Sequence, residues 1–196
     1  TVLWEESRRK FGEVVPDDFA GIAVMTGFIA TDETGLQTTL GRNGSDYSAA
    51  IFAALSSACE LSIWTDVDGV MSADPNRVPE ARVIEQLTYN EAMELAYFGA
   101  KVIHPQTLSP VIDKDIPVWI RNSHNAGHPG SRIAADAARI DNIKGITAIG
   151  GMALVNLEGS GMIGVPGTAD RLFGALKNAG VSVTLISQAS SEHSIC

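Results

Sequence analysis

The stretch Thr38-Thr39-Leu40-Gly41-Arg42-Asn43-Gly44-Ser45-Asp46-Tyr47-Ser48 most constrains what this chain can fold into. Apolar residues over 22–29 lead towards it, and a small-residue run carrying Ile51, Phe52 and Leu55 follows. That order reads as strand, glycine turn and a helix starting near Ser45. Gly41 and Gly44 allow a tight turn and a close backbone approach to a ligand. The first N–H groups of a helix lack internal partners and carry the positive end of its dipole, so the turn can hold an anion. Arg42 adds a fork of donors matched to a carboxylate or a phosphate. Ser45 and Asp46 can equally serve as an ordinary helix cap, and spacing alone does not separate the two readings.

Composition bounds what such a turn can serve. At 196 residues the chain makes one domain or two small ones. Hydrophobic residues at 45% and charged residues at 19% suit a globular core. A formal net charge of -9 argues against nucleic acid and anionic membrane as partners. No apolar run is long enough to span a bilayer, and the N-terminus carries no signal-peptide pattern. Cys59 and Cys196 make no disulfide framework and no ligand-spaced Cys/His set, which fits a cytoplasmic setting. Cys59, at a helix-to-strand junction, reads as a buried thiol. The chain starts without a first strand and stops inside the apolar Ser194-Ile195-Cys196, so it reads as an internal piece of a longer protein.

Residues 1–18 are polar and charged and read as helix and loop, with Trp4, Phe11 and Phe19 available to dock on a core. Residues 22–30 read as a buried strand pair, or one strand bent at Gly27. The helix after the turn runs to about Ala58. Residues 60–65 form a strand that delivers Asp66-Val67-Asp68-Gly69 to a loop at its carboxyl end, where open α/β sheets bind ligands. That loop continues through Asp74-Pro75-Asn76-Arg77 to Pro79. Thr88-Tyr89-Asn90-Glu91 is a capping box. Ala92, Leu95 and Ala96 follow at helical spacing, and Gly99 can end the helix. A short helix over about 107–114, a strand over 117–120 and a loop over 122–132 come next. After about Asp141 the character changes. Residues 146–157 read as a strand with Gly150-Gly151 as a bulge, and 159–167 are glycine-rich. Thr168 is placed to cap a helix with Leu172, Phe173, Leu176 and Ala179 on one face, ended by Gly180. Residues 181–187 read as a second strand, and a third begins after His193. This is the front of a β-α-β-β unit, as in ferredoxin-like modules. The expected fold class is α/β: a mostly parallel sheet with flanking helices over 1–140, then a truncated α+β module over 141–196.

Three places can converge at one sheet edge: the Arg42 turn, the loop over 65–77 and Lys101. A lone lysine is usually a solvated surface charge. Lys101, however, lies between Gly99-Ala100 and Val102-Ile103, which would hold its stem while the ammonium reaches a phosphate. Asp46, Asp66, Asp68 and Asp74 are acidic neighbours for such a site, although Asp74-Pro75 reads locally as a turn. His104, before proline, reads as satisfying a nearby backbone group. Phosphoryl transfer is catalysed mostly by positioning and charge neutralisation, so arginine, lysine, backbone N–H and aspartate are suitable parts. They do not spell a Walker A sequence, and no Rossmann fingerprint is present.

Three stretches together resemble the aspartate kinase family: Thr38-Thr39-Leu40-Gly41-Arg42-Asn43-Gly44-Ser45-Asp46-Tyr47-Ser48-Ala49, Trp64-Thr65-Asp66-Val67-Asp68-Gly69-Val70 and Phe98-Gly99-Ala100-Lys101-Val102-Ile103-His104-Pro105. Ile186-Ser187-Gln188-Ala189-Ser190-Ser191-Glu192-His193-Ser194-Ile195-Cys196 is similar to the bifunctional aspartate kinase–homoserine dehydrogenases. The resemblance covers nearly the whole chain. It implies an amino-acid-kinase fold that transfers the γ-phosphoryl group of ATP, with Mg²⁺, to the side-chain carboxylate of L-aspartate. That reaction gives 4-phospho-L-aspartate, the first step towards lysine, threonine and methionine. It also implies a parent chain carrying an NADP-dependent homoserine dehydrogenase. By the same resemblance Arg42 grips the substrate carboxylate, and Gly44 and Ser45 help form the phosphate and substrate turn. Asp46 orients phosphate-binding lysines, Thr65, Asp66, Gly69 and Arg77 hold nucleotide, and Lys101 stabilises the phosphates during transfer. Aspartate's own carboxylate is the nucleophile, so no strong protein base is required, and no protein metal ligand is implied.

The sequence departs from the family at three positions in these loops. Asn43 stands where glycine is usual, and asparagine tolerates positive φ better than most residues. Met71 replaces a usual tyrosine. Asn76 stands where an arginine often contacts ATP, with Arg77 one position on. The family's first strand, with its phosphate-binding lysine and glycines, is absent, so these residues alone are expected to be inactive.

The second module resembles an ACT regulatory domain, which pairs with a copy of itself and binds an amino acid. The implied effector is L-threonine, held by Gly167, Thr168 and Ala169 at a helix start with Thr184 and Gln188 from the strand side. A homo-oligomer through these modules is implied, in the cytoplasm or, in a plant, the plastid stroma. Two other functions use the same parts. A non-catalytic amino-acid sensor is disfavoured by the presence of Arg42, Asp46 and Lys101. A kinase for another carboxylate, such as acetylglutamate, is disfavoured by the regulatory module and the wording of residues 64–69. The whole reading rests on Arg42, Lys101 and the loop after Trp64 facing one cleft at the rim of a parallel sheet.

Overall fold

Leu61–Thr65 and Val118–Asn122 each place a buried side chain at alternate positions, the pattern of strands with one face on a core. In a computed structural model of the chain, which describes residues 2–97, 104–137, 143–188 and 194–196, with 106 by its backbone alone, these two segments pair in parallel. The chain divides into two compact units, Thr1–Ile149 and Gly150–Cys196. The first runs α1 (Trp4–Val14), β1 (Ile29–Thr31), β2 (Gln37–Thr39), α2 (Gly44–Leu55), β3 (Leu61–Thr65), β4 (Gln86–Leu87), α3 (Tyr89–Tyr97), α4 (Pro105–Ile112), β5 (Val118–Asn122) and β6 (Ser131–Ile133). The second runs β7 (Leu157–Glu158), a 3-10 turn at Ser160–Met162, α5 (Thr168–Asn178) and β8 (Ser194–Ile195). No helix among the described residues is long and apolar enough to cross a membrane.

The main sheet has the order β3-β5-β6-β4, joined parallel, antiparallel and parallel. It is a mixed sheet, and β4 and β6 fall where the sequence pattern announced no strand. Register decides the faces. Leu61 lies opposite Val118 and Ile63 opposite Ile120, while Val118 also faces Ile133, which faces Leu87. All six are buried, and Ala50 and Ala53 of α2, Tyr89 and Ala92 of α3, and Leu108 and Val111 of α4 join them in one core. Each fully buried Leu, Ile or Val contributes about 1.5–3 kcal/mol, so this face carries most of the unit's stability. The opposite face presents Trp64, Trp119 and Arg121. The Arg121 guanidinium sits 4.8 Å from the Trp119 ring centre and 5.9 Å from that of Trp64, a cation–π stack. At the N-terminal end, Phe11 of α1 meets Phe52 of α2 with ring centres 6.1 Å apart.

Several expected features differ in the structure. Residues 22–27 form no strand, because no ladder partner meets them among the described residues, and Ile22 and Val24 are each 92% exposed. The pairing starts only at β1, which forms a hairpin with β2 from Ile29 opposite Thr39. Residues 146–156 are not a strand either, and Ile146, Met152, Leu154 and Val155 are exposed. Only β7 pairs, with β8. Over residues 181–187 the backbone pairs only at its end, where Ser187 exchanges two N–H···O bonds of 2.7 Å with Cys196. Cys59 is exposed, not buried, because it sits in the turn between α2 and β3, beyond the last packed residue of the helix.

The capping box ahead of α3 forms as its residues require. The Thr88 N–H reaches Glu91 Oε2 at 2.8 Å, and the Glu91 N–H reaches Thr88 Oγ1 at 3.2 Å. Lys144, on the segment that leaves the first unit, donates to the same carboxylate at 2.8 Å and to the Gln86 carbonyl at 3.3 Å. Burial alone would raise the Glu91 pKa. The Lys144 bond, with those from Thr88, outweighs it and holds the group below its ordinary 4.5. A carboxylate depressed in the folded state stabilises fully above its unfolded pKa, and that contribution fades as pH falls through the folded value. Glu91→Gln should therefore be less stable than the parent at pH 7, by about 1 kcal/mol or less for a partly exposed pair. Urea unfolding should show the gap closing on acidification below the ordinary glutamate range. A gap that does not change with pH would remove the charge from the account.

Candidate active site and effector pocket

The turn ahead of α2 is built by two residues in the left-handed region, Gly41 at φ 76° and Asn43 at φ 55°. Asparagine holds the position where glycine would be expected, and the turn survives. Asn43 is the N-cap, but its side chain makes no cap bond; Nδ2 lies 3.4 Å from Asp46 Oδ2 in the first helical turn. Ser45 and Asp46 are therefore not the cap. Arg42 and Ser45 are exposed and Asp46 is half-buried. Gly44 is buried for a reason internal to the protein: a Cβ there would lie 2.8 Å from the Phe28 ring and 3.1 Å from Leu40 Cβ. Buried Ser48 ties the β1–β2 hairpin to the helix, accepting the Phe28 N–H and donating to the Gly44 carbonyl, both at 2.9 Å.

A short turn, residues 56–60, joins α2 to β3, and both pack in the same core. The helix is about 18 Å long and the strand about 17 Å, so a chain that reverses between them returns to its starting level. A reversal at residues 56–60 would bring the first turn of α2 and the end of β3 to one rim. At the end of β3 the inward column of the sheet changes from apolar to polar. Thr65 lies opposite Asn122, and Ser131 lies opposite Ile120.

These polar groups hold the loop after β3. Ser123 donates to the Thr65 carbonyl through its N–H at 2.8 Å and its hydroxyl at 3.0 Å. Asn122 Nδ2 and Asn125 Nδ2 both donate to Asp68 Oδ1, at 2.7 and 3.1 Å. These bonds, that of Asn122 first, hold the Asp68 pKa below its ordinary value. The Val70 N–H reaches Ser131 Oγ at 2.8 Å. Gly69 is pressed against the same wall, where a Cβ would meet Ser131 Oγ at 2.5 Å and Val83 Cγ1 at 2.7 Å. Asp66 is exposed at the tip, and its Oδ1 accepts the Thr65 hydroxyl at 3.2 Å. Sequence reasoning missed Asn122, Asn125, Ser123 and Ser131, which it assigned to a loop. The available signal was Val118-Trp119-Ile120-Arg121-Asn122, whose alternation puts an amide on an inward position.

Beyond Val70 the chain forms an arm. Met71 bridges Val83, and the Ile84 N–H bonds the Val70 carbonyl at 2.8 Å. Asp74 closes the tip as a turn, its Oδ1 accepting the Asn76 N–H at 2.9 Å and Nδ2 at 3.0 Å. Arg77 is exposed on that turn. The Ile146 N–H, on the segment leading out of the unit, bonds the Ser72 carbonyl at 2.8 Å. Lys101 lies outside the described residues, so its expected place beside Arg42 is not part of the geometry. Among the described residues no three His, Cys, Asp or Glu side chains gather to hold a metal ion.

The second unit has a cavity of about 380 Å³ by itself, lined by Gly167, Thr168, Ala169 and Gln188 with Met162, Val165 and Ile195 among others. Thr184 is not in its wall. Gly167, at φ 84°, is the N-cap of α5, not Thr168. Thr168 is the first helical residue and donates its hydroxyl to the Val165 carbonyl at 3.1 Å. The cavity therefore opens onto a helix start, where backbone N–H groups favour an anion. On the first unit, Gly69→Ala should push the loop off Ser131 and cost about 1–3 kcal/mol as an overpacking change. Urea denaturation checks this, and an unchanged midpoint would show that the loop has slack.

The profile of the amino acid kinase family matches residues 3–122, and that of the ACT domain matches residues 155–196. The bifunctional aspartokinase/homoserine dehydrogenase 1, chloroplastic, of Arabidopsis thaliana is 50% identical over 197 residues, covering 97% of this chain and 22% of that protein. The chain thus spans about a fifth of the length of the bifunctional relatives it matches. The Clostridium acetobutylicum aspartate kinase structure superposes with a TM-score of 0.82 at 28% identity, over 97% of this chain and 44% of that one. Escherichia coli aspartokinase III, solved with aspartate and ADP in its R-state, gives a TM-score of 0.66 at 34% identity, over 86% of this chain and 37% of that one. The same enzyme with lysine and aspartate, in its T-state, gives 0.65 at 36% identity, over 86% and 38%. A mixed sheet flanked by helices, matched by the family profile over most of the first unit and followed by an ACT domain, makes this chain a member of the amino acid kinase family.

Proposed function

We propose that this chain is the nucleotide-side part of an aspartate kinase together with the start of its regulatory domain. What supports the reading is the braced loop over 65–70 at the end of β3 together with the Arg42 turn at the start of α2, which a reversal between helix and strand would bring to one rim. Aspartokinase III of E. coli binds aspartate and ADP, and its fold is shared here. In this reading Arg42 pairs with a carboxylate of L-aspartate, Gly44 shapes the turn that substrate and phosphate use, and Ser45 offers a helix-start N–H to phosphate oxygens. Asp46 orients the lysines that hold the phosphates, Lys101 among them. Thr65, Asp66 and Gly69 bound the nucleotide, with Arg77 reaching it from the arm.

The chemistry needs little beyond this placement. A side-chain carboxylate oxygen of aspartate attacks the γ-phosphorus of ATP. The bond from that phosphorus to the β–γ bridging oxygen breaks, and ADP leaves with the electron pair. The product is an acyl phosphate, and no proton has to be removed from the nucleophile. Mg²⁺ would arrive with the phosphates, held mainly by their oxygens and water, and would neutralise their charge. The complete protein would also carry a homoserine dehydrogenase, as the name of the Arabidopsis relative states for that protein, with NADP as its cofactor. It would work in the cytoplasm or, in a plant, in the plastid.

The cavity at the start of α5 is the proposed effector site, with L-threonine as the ligand. Gly167, Thr168 and Ala169 face the carboxylate, and Gln188 takes the polar side chain; Thr184 acts at most from behind the wall. Feedback then follows if threonine binds one arrangement of paired modules more tightly than the other.

Hydroxylamine trapping of the acyl phosphate tests the first reading. The complete protein should form aspartyl hydroxamate from ATP and aspartate, and Arg42→Ala should lower kcat/KM for aspartate by about a hundredfold. The 196-residue chain alone should form none. A complete protein that is inert with aspartate would remove the assignment. Calorimetry tests the second: Gln188→Ala should weaken threonine binding by about tenfold, and unchanged affinity would remove Gln188 from the pocket.

A further inference from the structure

Resting on the kinase reading above, we infer that Asn122 and Asn125 are positioning residues for the nucleotide loop, and that Asp68 is their anchor and not a contact to the metal or the phosphates. Three acids lie along this loop and its arm, and the geometry separates their jobs. Asp74 spends an oxygen on closing its own turn through Asn76. Asp66 stands exposed at the tip with the Thr65 hydroxyl on Oδ1. Asp68 faces the other way, into the β5–β6 connection, and both amide donors end on one atom, Oδ1. A carboxylate oxygen has two lone pairs, so Oδ1 is filled by these two donors, and Oδ2 is the oxygen whose role the Asp68→Asn variant tests.

The donors are themselves fixed. Asn122 is 9% exposed, and its Oδ1 accepts the His124 N–H at 2.8 Å, which sets the amide's orientation and points Nδ2 at Asp68. The Asn125 N–H bonds the Asn122 carbonyl at 3.2 Å, so the second donor is carried by the same turn. Together with the two Ser123 bonds to the Thr65 carbonyl, these contacts brace the loop on both sides of Asp66. A brace of this kind acts before the substrate arrives, by removing the loop's freedom to point Thr65 and Asp66 elsewhere.

The test uses the complete protein and steady-state kinetics with ATP and aspartate varied separately. Asn125→Ala, at an exposed position where folding is safe, should raise KM for ATP by about threefold, and Asn122→Ala by about tenfold, with KM for aspartate and kcat nearly unchanged. Asp68→Ala should match Asn122→Ala. Asp68→Asn keeps an oxygen with two lone pairs and should restore most of the lost ATP affinity. If Asp68→Asn loses kcat as severely as Asp68→Ala, Asp68 touches the metal or phosphates and the inference falls. If Asn125→Ala and Asp68→Ala both leave KM for ATP unchanged in an active enzyme, the brace is idle, and the kinase reading stands without it. A parent enzyme that makes no aspartyl hydroxamate fails the kinase reading first, and the inference falls with it.

Discussion

The parallel pairing of β3 with β5, Leu61 on Val118 through Thr65 on Asn122, is the constraint on which the rest depends. Parallel strands end at the same edge, so the loops that follow them must meet there. The same register that buries Ile63 against Ile120 also sets Thr65 beside Asn122 one step further on. A slip of one residue would turn Trp64 and Arg121 into the core and expose the apolar column. Core packing and loop placement are therefore decided by one choice, and the stability of the buried face is what keeps the rim in position.

The rim itself is polar by construction. Deep in the sheet the inward positions are Leu, Ile and Val; at the edge they become Thr65, Asn122 and Ser131, each with a hydrogen-bond partner in the 65–70 loop or its partner loop. Gly69 fits because nothing larger would pass Ser131 and Val83. The arm that follows is joined at Ser72 to the segment leaving the first unit, which also grips α3 through Lys144 and Glu91. The exit from the first unit is thus fastened to the candidate nucleotide arm and to a helix of the core.

Much of this was legible in the residues, and the failures have a common cause. The capping box at Thr88, α2, β3, β5 and α5 carry local signals: reciprocal side-chain bonds, helical periodicity or strict alternation. The stretches over 22–27, 147–156 and 181–186 are apolar and β-prone, but a strand exists only when a neighbour completes its ladder, and none is present among the described residues. Sequence reveals the propensity and not the partner. β6 failed the other way: Ser131-Arg132-Ile133 follows a loop rich in glycine and proline, yet pairs with β4 and β5 because both flank it. Cys59 was placed by residue type, although its position beyond the helix decides its exposure. Gly44 has a second reason to be glycine that its sequence does not show: its missing side chain admits Phe28. Asn122 was hidden because an inward polar residue at a strand end reads like the start of a loop until its partner, Asp68, is brought back by the topology.

A crystal structure of the complete protein with aspartate and ADP would test the shared rim most directly. The account predicts one cleft, with a carboxylate of aspartate on the Arg42 guanidinium and the diphosphate lying between that turn and the loop of Thr65, Asp66 and Gly69. Nucleotide bound away from that loop, or Arg42 pointing to solvent with aspartate held elsewhere, would contradict it.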